Sequence, residues 1–339
     1  MIQDVPELEE RLSEPTPGVI DTLGKLQGDV MVLGAAGKMG PTLARMAKRA
    51  SDAARCARRV IGVSRYSNPD EQRKLEAHGV ETIRADLLDE NALDALPDAP
   101  NIVYMAGMKF GSTDHEALTW AMNVHLPALV CRRFASSRIA AFSTGNVYGP
   151  VSVRGGGSVE TDTSNPIGEY AMSCLGRERM FEHFSKTLGT VVTTIRLNYA
   201  TEMRYGVLID IARQVWDERP IDVTMGYANV IWQGDANAMA LQSLAHAASP
   251  PLVVNVSGPE IFQVRDVAGQ FGSIMKKTPA FQGREDDTAL LGNGDLGYGL
   301  FGRPCVELAQ LIEWSADWVM RDGASLNKPT HFEVTNGKF

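Results

Sequence analysis

The stretch Asp29-Val-Met-Val-Leu-Gly-Ala-Ala-Gly-Lys-Met-Gly40 decides the fold of this chain. Its apolar start, Asp29 to Leu33, predicts a buried strand, and the pattern from Pro41 to Ala50 predicts a helix with a proline in its first turn. The turn between them contains Gly34, Gly37, Lys38, Met39 and Gly40. A strand, a glycine turn and a helix in this order let backbone amides approach a diphosphate, whose charge the helix N-terminus stabilises. We therefore expect this turn to bind a dinucleotide.

Short apolar runs and helical patterns alternate downstream of the turn. Further strands are predicted at residues 59–64, 81–85, 101–106, 139–143 and 191–196. Helical patterns separate them, around residues 115–136 and 168–186 among others. A series of this kind folds into a parallel sheet with helices on both faces. We expect an α/β fold with a Rossmann-like doubly wound parallel sheet in residues 29–200, to which strands return later in the chain.

The pattern is looser beyond residue 200. Helices are predicted at residues 204–217, 234–247, 264–275 and 305–320, and a strand at Leu252 to Val256. These elements indicate a smaller α/β C-terminal lobe, mostly within residues 201–330, that closes over the strand ends and shapes a substrate cleft. Residues 1–28 carry short helical patterns at Glu7 to Leu12 and at Gly18 to Leu26. We expect them to form an amphipathic helical extension packed on the sheet.

Composition argues against several classes of partner. The chain has 339 residues, 44% of them hydrophobic, and a formal net charge of −8, so it offers no basic surface for nucleic acid or for an anionic membrane. The N-terminus lacks the basic and then apolar run of a signal peptide, so we expect a cytoplasmic protein. The four cysteines form no Cys-x-x-Cys pair and the six histidines are scattered, so we expect neither disulfides nor a metal site.

Further short motifs follow the glycine turn along the chain. They are Asp86-Leu87, Tyr104-Met105-Ala106-Gly107, Asn123, Phe142-Ser-Thr144-Gly-Asn-Val-Tyr-Gly149 and Tyr170-Ala-Met-Ser-Cys174. Together with the Gly-x-x-Gly-x-x-Gly spacing, their order resembles that of the extended short-chain dehydrogenases, also called the NAD-dependent epimerase/dehydratase family. The resemblance covers about residues 30 to 320.

The resemblance implies a nicotinamide enzyme and gives each motif a role. The cofactor-binding residues that it implies are Asp86, Leu87, Met105, Ala106, Gly107 and Asn123, the last of which supports the active site. It makes Tyr170 the acid/base and Thr144 the hydroxyl partner, both in contact with the substrate oxygen while hydride is transferred. It also implies a homodimer formed by the helices around residues 115–136 and 168–186.

The end of the second strand bears on the choice between NAD and NADP. An acidic residue there hydrogen-bonds the ribose hydroxyls of NAD and repels a 2′-phosphate, but this chain has Ser64-Arg65-Tyr66. A guanidinium binds phosphate bidentately and stacks on adenine, so Ser64 and Arg65 favour NADP over NAD. The alternative is that Arg65 is a solvated surface arginine.

Cys174 is the departure from the family pattern, in which Tyr-x-x-Ser-Lys supplies a lysine that holds the nicotinamide ribose and lowers the tyrosine pKa. A free tyrosine has a pKa of about 10, so about one molecule in a thousand carries the phenolate at pH 7. A thiol carries no positive charge, and a thiolate would raise the tyrosine pKa. Alcohol oxidation should therefore suffer more than ketone reduction, for which a neutral tyrosine already serves as proton donor.

Two residues are candidates for the missing cation. Lys109 follows the fourth strand in a loop that passes near the cofactor in the family. Arg177 shares a helical face with Tyr170 and Cys174 by the spacing i, i+4, i+7. The alternatives are a solvated loop lysine and an arginine at an interface or on the surface.

The substrate is less clearly indicated. Nucleotide-sugar enzymes of the family place an arginine shortly before a Val-x-Asp segment to hold a diphosphate, and the corresponding residues 227–235 contain none. Arg284 could match a second such arginine. These features favour a smaller sugar-like, hydroxy or keto compound, with Asn146, Asn198 and Trp232 as candidate pocket residues.

Two functional hypotheses follow. The first is an NAD(P)-dependent oxidoreductase or epimerase that acts at a hydroxyl or carbonyl carbon through Tyr170 and Thr144. The second is a non-catalytic NADP-binding or redox-sensing protein that has lost the catalytic lysine. The retained pair Thr144 and Tyr170 favours the enzyme, because a site released from catalysis has little reason to keep both.

Overall fold

The computed structural model describes residues 1–109, 114–328 and 330–334. Within these residues the main sheet has seven strands: β1 (Val30–Leu33), β2 (Val60–Ser64), β3 (Glu81–Arg84), β4 (Asn101–Tyr104), β5 (Arg138–Thr144), β6 (Val191–Leu197) and β7 (Leu252–Val256). Their order is β7-β6-β5-β4-β1-β2-β3, and all neighbours are parallel. The strand order reverses between β1 and β4, which is where doubly wound sheets bind ligands. The predicted Rossmann-like fold is confirmed.

Helices cover both faces of this sheet and also build the C-terminal lobe. They are α1 (Val5–Leu12), α2 (Pro17–Lys25), α3 (Gly40–Ala53), α4 (Pro69–Ala77), α5 (Glu90–Asp94), α6 (Glu116–Trp120), α7 (Leu126–Arg133), α8 (Gly168–Leu188), α9 (Val207–Trp216), α10 (Gln233–Ser243), α11 (Val264–Met275), α12 (Asp295–Phe301) and α13 (Leu308–Met320). A π-helical turn, Ala121–His125, joins α6 to α7, and 3-10 turns lie at Gly145–Val147 and Leu244–His246. Short strands lie at Val151–Ser152, Ala200–Thr201, Ile221–Asp222, Tyr227–Asn229, Ile231–Trp232, Ile261–Gln263, Phe281–Gln282 and Thr288–Ala289.

The glycine turn links the fully buried β1 to α3. Gly34 has φ +93°, a backbone conformation that favours glycine, and a Cβ added there would lie 2.7 Å from the Ala106 amide nitrogen. This glycine therefore lets the ends of β1 and β4 approach each other. Pro41 occupies the first turn of α3, where its missing amide costs no hydrogen bond.

The N-terminal extension packs mainly on helices. Val19 and Leu23 of α2 are fully buried in the core beneath α3 and α10. Leu8 and Leu12 of α1 are fully buried in the core of the C-terminal lobe, which α9, α11 and α13 also form. Residues 1–28 thus contribute to two hydrophobic cores of the molecule.

Two further features concern possible partners. No helix in the described ranges is long and apolar enough to cross a membrane. Leu118 and Trp120 on α6 and Met172 on α8 are exposed. A dimer contact through these helices would cover them, and the homodimer stays a prediction.

Candidate active site

Two cavities meet at the glycine turn. The inner cavity, of about 240 Å³, extends from the turn to Thr144, Tyr170 and the C-terminal lobe. The outer cavity, of about 260 Å³, extends from the turn to the ends of β2 and β3. Both are lined by Gly34, Gly37, Met105 and Gly107. They therefore form one elongated groove across the switch point, and its glycine-lined middle suits the diphosphate of a dinucleotide.

Most of the predicted cofactor residues line this groove. In the inner cavity lie Gly34, Gly37, Lys38, Met39, Gly40, Met105 and Gly107. In the outer cavity lie Ser64, Arg65, Asp86, Leu87 and Ala106. Asn123 lines neither cavity and is fully buried, so it can act only as a support beneath the site.

Asn123 lies in the π-helical turn between α6 and α7, and such turns are frequent at functional sites. Its side-chain oxygen accepts a hydrogen bond from the Met108 amide (2.9 Å). Its side-chain nitrogen donates to the Met108 carbonyl (3.0 Å) and to the Ser173 hydroxyl (2.9 Å). One asparagine thus ties the loop after β4, which continues into Lys109, to α8.

Thr144 and Tyr170 reach the inner cavity from different elements. Thr144 ends β5, and its hydroxyl accepts a hydrogen bond from the Asn146 amide (3.2 Å). Tyr170 lies in the first turn of α8. Burial and the nearby Cys174 sulfur raise the pKa of Tyr170, whereas Arg177 and the Thr144 hydroxyl lower it. The net shift is upward, so Tyr170 is neutral at pH 7 and is suited to donate a proton.

Cys174 is fully buried and lines neither cavity. It packs with Val147, Tyr148 and Tyr170, and burial raises the pKa of its thiol. A neutral thiol behind the tyrosine neither contacts the groove nor supplies charge. Packing thus places Cys174 outside the cavity, where it can influence the site only through Tyr170.

Arg177 places its guanidinium at the wall of the inner cavity. Its Nη1 donates to the Phe142 carbonyl (2.9 Å), and its Nη2 donates to the Asn123 side-chain oxygen. A Cβ on Gly107 would collide with this guanidinium, so glycine at that position makes room for the arginine. The Arg177 charge is fixed near Tyr170 and acts to lower the tyrosine pKa.

Lys109 reaches the same cavity from the loop after β4. Its Nζ lies 5.9 Å from the centroid of the Tyr170 ring. Burial lowers the pKa of Lys109 to about 8. The structure thus brings both candidate cations to the site, with Arg177 held by hydrogen bonds and Lys109 beside the tyrosine ring.

Of the four candidate substrate residues, only Asn146 lines the inner cavity. Asn198 is buried, and its side-chain nitrogen donates to the Asn229 side-chain oxygen (2.8 Å). Trp232 is buried in the lobe core, with its ring centroid 5.5 Å from that of Trp314. Arg284 is exposed and lines neither cavity. The structure thus places these three side chains outside both cavities, and their role in substrate binding stays a prediction.

Several lining residues were missed by the sequence reasoning. They are Ser143, Tyr199, Tyr205 and Thr330 in the inner cavity and Glu71 in the outer one. Ser143 adjoins Thr144 and could have been inferred from it. The others come from distant segments, and no motif in the sequence marks them.

Comparison with known proteins agrees with this geometry. A sequence model of the NAD dependent epimerase/dehydratase family matches residues 30–201. A search of curated protein sequences found no match. UDP-glucuronic acid 4-epimerase from Bacillus cereus in complex with NAD is similar in structure, with a TM-score of 0.70 and 16% identity over 86% of this chain and 99% of that one.

Two other solved structures are similar over the same extent. dTDP-glucose 4,6-dehydratase from Bacillus anthracis, in complex with NAD, has a TM-score of 0.72 and 14% identity over 87% of this chain and 97% of that one. UDP-glucose 4-epimerase from Thermus thermophilus, in complex with NAD, has a TM-score of 0.69 and 18% identity over 85% of this chain and 98% of that one. At such identities the likeness establishes the fold.

The prediction that NADP is preferred to NAD is wrong, because these similar structures contain NAD. The prediction rested on the missing carboxylate at the end of β2. Glu71, in the first turn of α4, lines the outer cavity beside Arg65, whose side chain is exposed. A carboxylate at this end of the groove suits ribose hydroxyls and repels a 2′-phosphate.

Proposed function

Because the chain belongs to the NAD-dependent epimerase/dehydratase family, we propose that it binds NAD in the groove and transfers hydride at a hydroxyl or carbonyl carbon. The substrate is a small sugar-like or hydroxy-acid compound, and the reaction is that of an oxidoreductase or an epimerase. The observation that carries this proposal is that Tyr170 and Thr144 line the same cavity as the glycine turn.

The groove fits NAD by its own chemistry. Glu71 and Asp86 line the outer cavity and suit an adenosine, and the glycine turn at the start of α3 suits the diphosphate. When bound, NAD supplies or accepts the hydride. Every other task falls to side chains of the inner cavity.

Tyr170 is the proton donor and acceptor in this proposal. Its hydroxyl hydrogen-bonds the substrate oxygen, and the Thr144 hydroxyl orients the same oxygen, since both side chains face one cavity. Arg177 stabilises negative charge on the tyrosine from behind, and Lys109 does so from beside its ring. These two cations share the electrostatic task that the lysine performs in the family.

The state of Tyr170 favours one direction of the reaction. Burial keeps the phenol protonated at neutral pH, and a protonated phenol is what a carbonyl oxygen needs when hydride reaches its carbon. Carbonyl reduction should therefore be faster at pH 7 than oxidation of the corresponding alcohol. Oxidation should gain more as the pH rises.

Replacing Tyr170 with phenylalanine tests the proposal. NADH binding, followed by fluorescence titration, should stay within about twofold, because the phenol adds no charge to the groove. NADH oxidation with a panel of small keto sugars and keto acids, followed at 340 nm, should fall by about 100-fold or more. Tyr227→Phe, on a short strand of the C-terminal lobe, is the matched control.

The opposite result has a clear meaning. If Tyr170→Phe turned over the same keto compounds as fast as the unaltered protein, Tyr170 would not be the acid/base. If the unaltered protein bound NADH but reduced no compound of the panel, the proposal would also fail. The chain would then be a non-catalytic NAD-binding protein, as the cysteine at position 174 would allow.

A further inference from the structure

The inner cavity is strongly cationic. Among the described residues that line it are Lys38, Lys109 and Arg177, and none is acidic. The whole chain, by contrast, has a formal net charge of −8. Three cations concentrated in one cavity of an acidic protein call for an explanation, because it is costly to gather positive charge where water is partly excluded.

Two of these cations lie near Tyr170 and have a role there in the proposed function. Arg177 is held by the Phe142 carbonyl and the Asn123 side chain, and it acts on the pKa of Tyr170. The Lys109 ammonium lies beside the Tyr170 ring. Lys38 is the cation that the proposed chemistry does not use.

Lys38 belongs to the glycine turn by its backbone, but its side chain extends to the C-terminal lobe. Its Nζ donates to the Ala200 carbonyl (3.0 Å) and lies 3.8 Å from the centroid of the Tyr205 ring. Both partners are uncharged. Lys38 lines the inner cavity and not the outer one, so its ammonium lies on the side of Thr144 and Tyr170.

The two carboxylates that act electrostatically on Lys38, Glu202 and Asp210, are engaged elsewhere. Glu202 accepts hydrogen bonds from the Arg204 amide (2.8 Å) and from the Arg204 side chain (3.1 Å). Asp210 accepts from the amide (2.8 Å) and the hydroxyl (2.6 Å) of Thr330. Within the described part of the chain, Lys38 forms no ion pair with either of them.

The electrostatic balance of Lys38 agrees with this geometry. Burial lowers its pKa to about 7, the charge of Glu202 opposes the change, and the charge of Lys109 adds to it. An anion that entered the cavity beside the ammonium would relieve this cost and favour the protonated lysine.

We propose that Lys38 binds an oxyanion of the substrate, a carboxylate or a phosphate, so that the substrate is an acid that also carries the reacting hydroxyl or carbonyl. The inference rests on the proposed function for the reacting group, but the anion site itself does not depend on turnover. Tyr205 and the Ala200 carbonyl hold the ammonium in place, and Thr144 and Tyr170 receive the other end of the molecule.

Anion binding to the NADH-loaded protein tests the inference. Malonate and inorganic phosphate serve as probes for the two oxyanions, in calorimetry at pH 6.5 and constant ionic strength, where Lys38 is mostly protonated. The unaltered protein should bind at least one probe saturably, and Lys38→Met should weaken that binding by about tenfold or more. Lys38→Arg should recover part of it, and Lys74→Met, an exposed lysine on α4, should leave it unchanged.

Three results would overturn the inference. They are the absence of saturable binding of either probe to the unaltered protein, equal binding by Lys38→Met, and a loss of NADH affinity in Lys38→Met as large as the loss for the probe. The last result would assign Lys38 to the cofactor diphosphate. Because Tyr170→Phe is scored by turnover and Lys38→Met by binding, each idea can fail without the other.

Discussion

Glu178 forms a buried ion pair behind the inner cavity, and its removal should destabilise the whole fold. Glu178 and Arg196 are 5% and 6% exposed, and Arg196 Nη2 lies 2.8 Å from Glu178 Oε2. Arg196 Nε adds further contacts to the carboxylate at 3.1 and 3.2 Å. The Ser143 hydroxyl donates to the same carboxylate. The pair therefore joins α8 to β5 and β6, directly behind the wall that carries Thr144.

The magnitude follows from what each substitution leaves behind. Glu178→Ala leaves the Arg196 guanidinium buried without its counterion, and breaking a buried pair in this way costs about 3–5 kcal/mol. Glu178→Gln keeps the shape and one acceptor oxygen but removes the charge, so it should cost less than the alanine variant. Glu182 lies one turn further along the same helix, partly exposed, between Arg179 and Lys186. Glu182→Ala should cost under about 1 kcal/mol, as surface pairs do.

Equilibrium unfolding in urea, followed by circular dichroism, measures the three free energies of unfolding on one scale. The reasoning requires the loss to increase in the order Glu182→Ala, Glu178→Gln, Glu178→Ala. Equal losses for the two alanine variants would refute it, because burial of the pair would then have no energetic consequence.

Two further predictions concern α8 and the N-terminal extension. Cys174→Lys should oxidise the alcohol product at pH 7 about tenfold faster, or more, than Cys174→Met does, because a cation near Tyr170 favours the phenolate. Identical pH–rate profiles of the two variants would contradict this prediction. Leu12→Ala should lower the free energy of unfolding by about 2–5 kcal/mol, since Leu12 is fully buried in the lobe core. The control Leu118→Ala, on the exposed face of α6, should change the free energy of unfolding by less than about 0.5 kcal/mol. Equal urea midpoints for Leu12→Ala and Leu118→Ala would show that the extension is not part of the core.

The strands could be predicted closely from the sequence, because strands buried on both faces are short apolar runs bounded by turn residues. The predicted strand at 252–256 is observed as Leu252–Val256, and the one at 139–143 as Arg138–Thr144. The helix predicted at 115–136 is interrupted by the π-helical turn at Ala121–His125. The hydrophobic periodicity of the sequence does not reveal the single extra residue of a π-helical turn. This turn nevertheless places the Asn123 side chain against the loop after β4.

The candidate site could be predicted where a motif lies within one segment, and not where distant segments meet. Thr144 and Tyr170 each sit in a motif, and both reach the cavity. Glu71 and Tyr205 reach the groove only because helices and lobe pack over it. Trp232 is of a residue type that often lines ligand pockets, but it packs against Trp314 in the core of the C-terminal lobe.

In the proposed function, the charge that Cys174 does not supply comes from a residue further along α8. Arg177 lies one turn beyond Cys174, and its longer side chain reaches back to the cavity wall between Phe142 and Asn123. There it acts on Tyr170, but both terminal nitrogens are committed to the protein. In the family, one lysine holds the nicotinamide ribose and lowers the tyrosine pKa. In the proposed function, Arg177, which cannot deprotonate, shares the second task with Lys109, and the first is left to other groups of the groove. Burial still keeps Tyr170 protonated at rest, which favours its action as an acid over its action as a base.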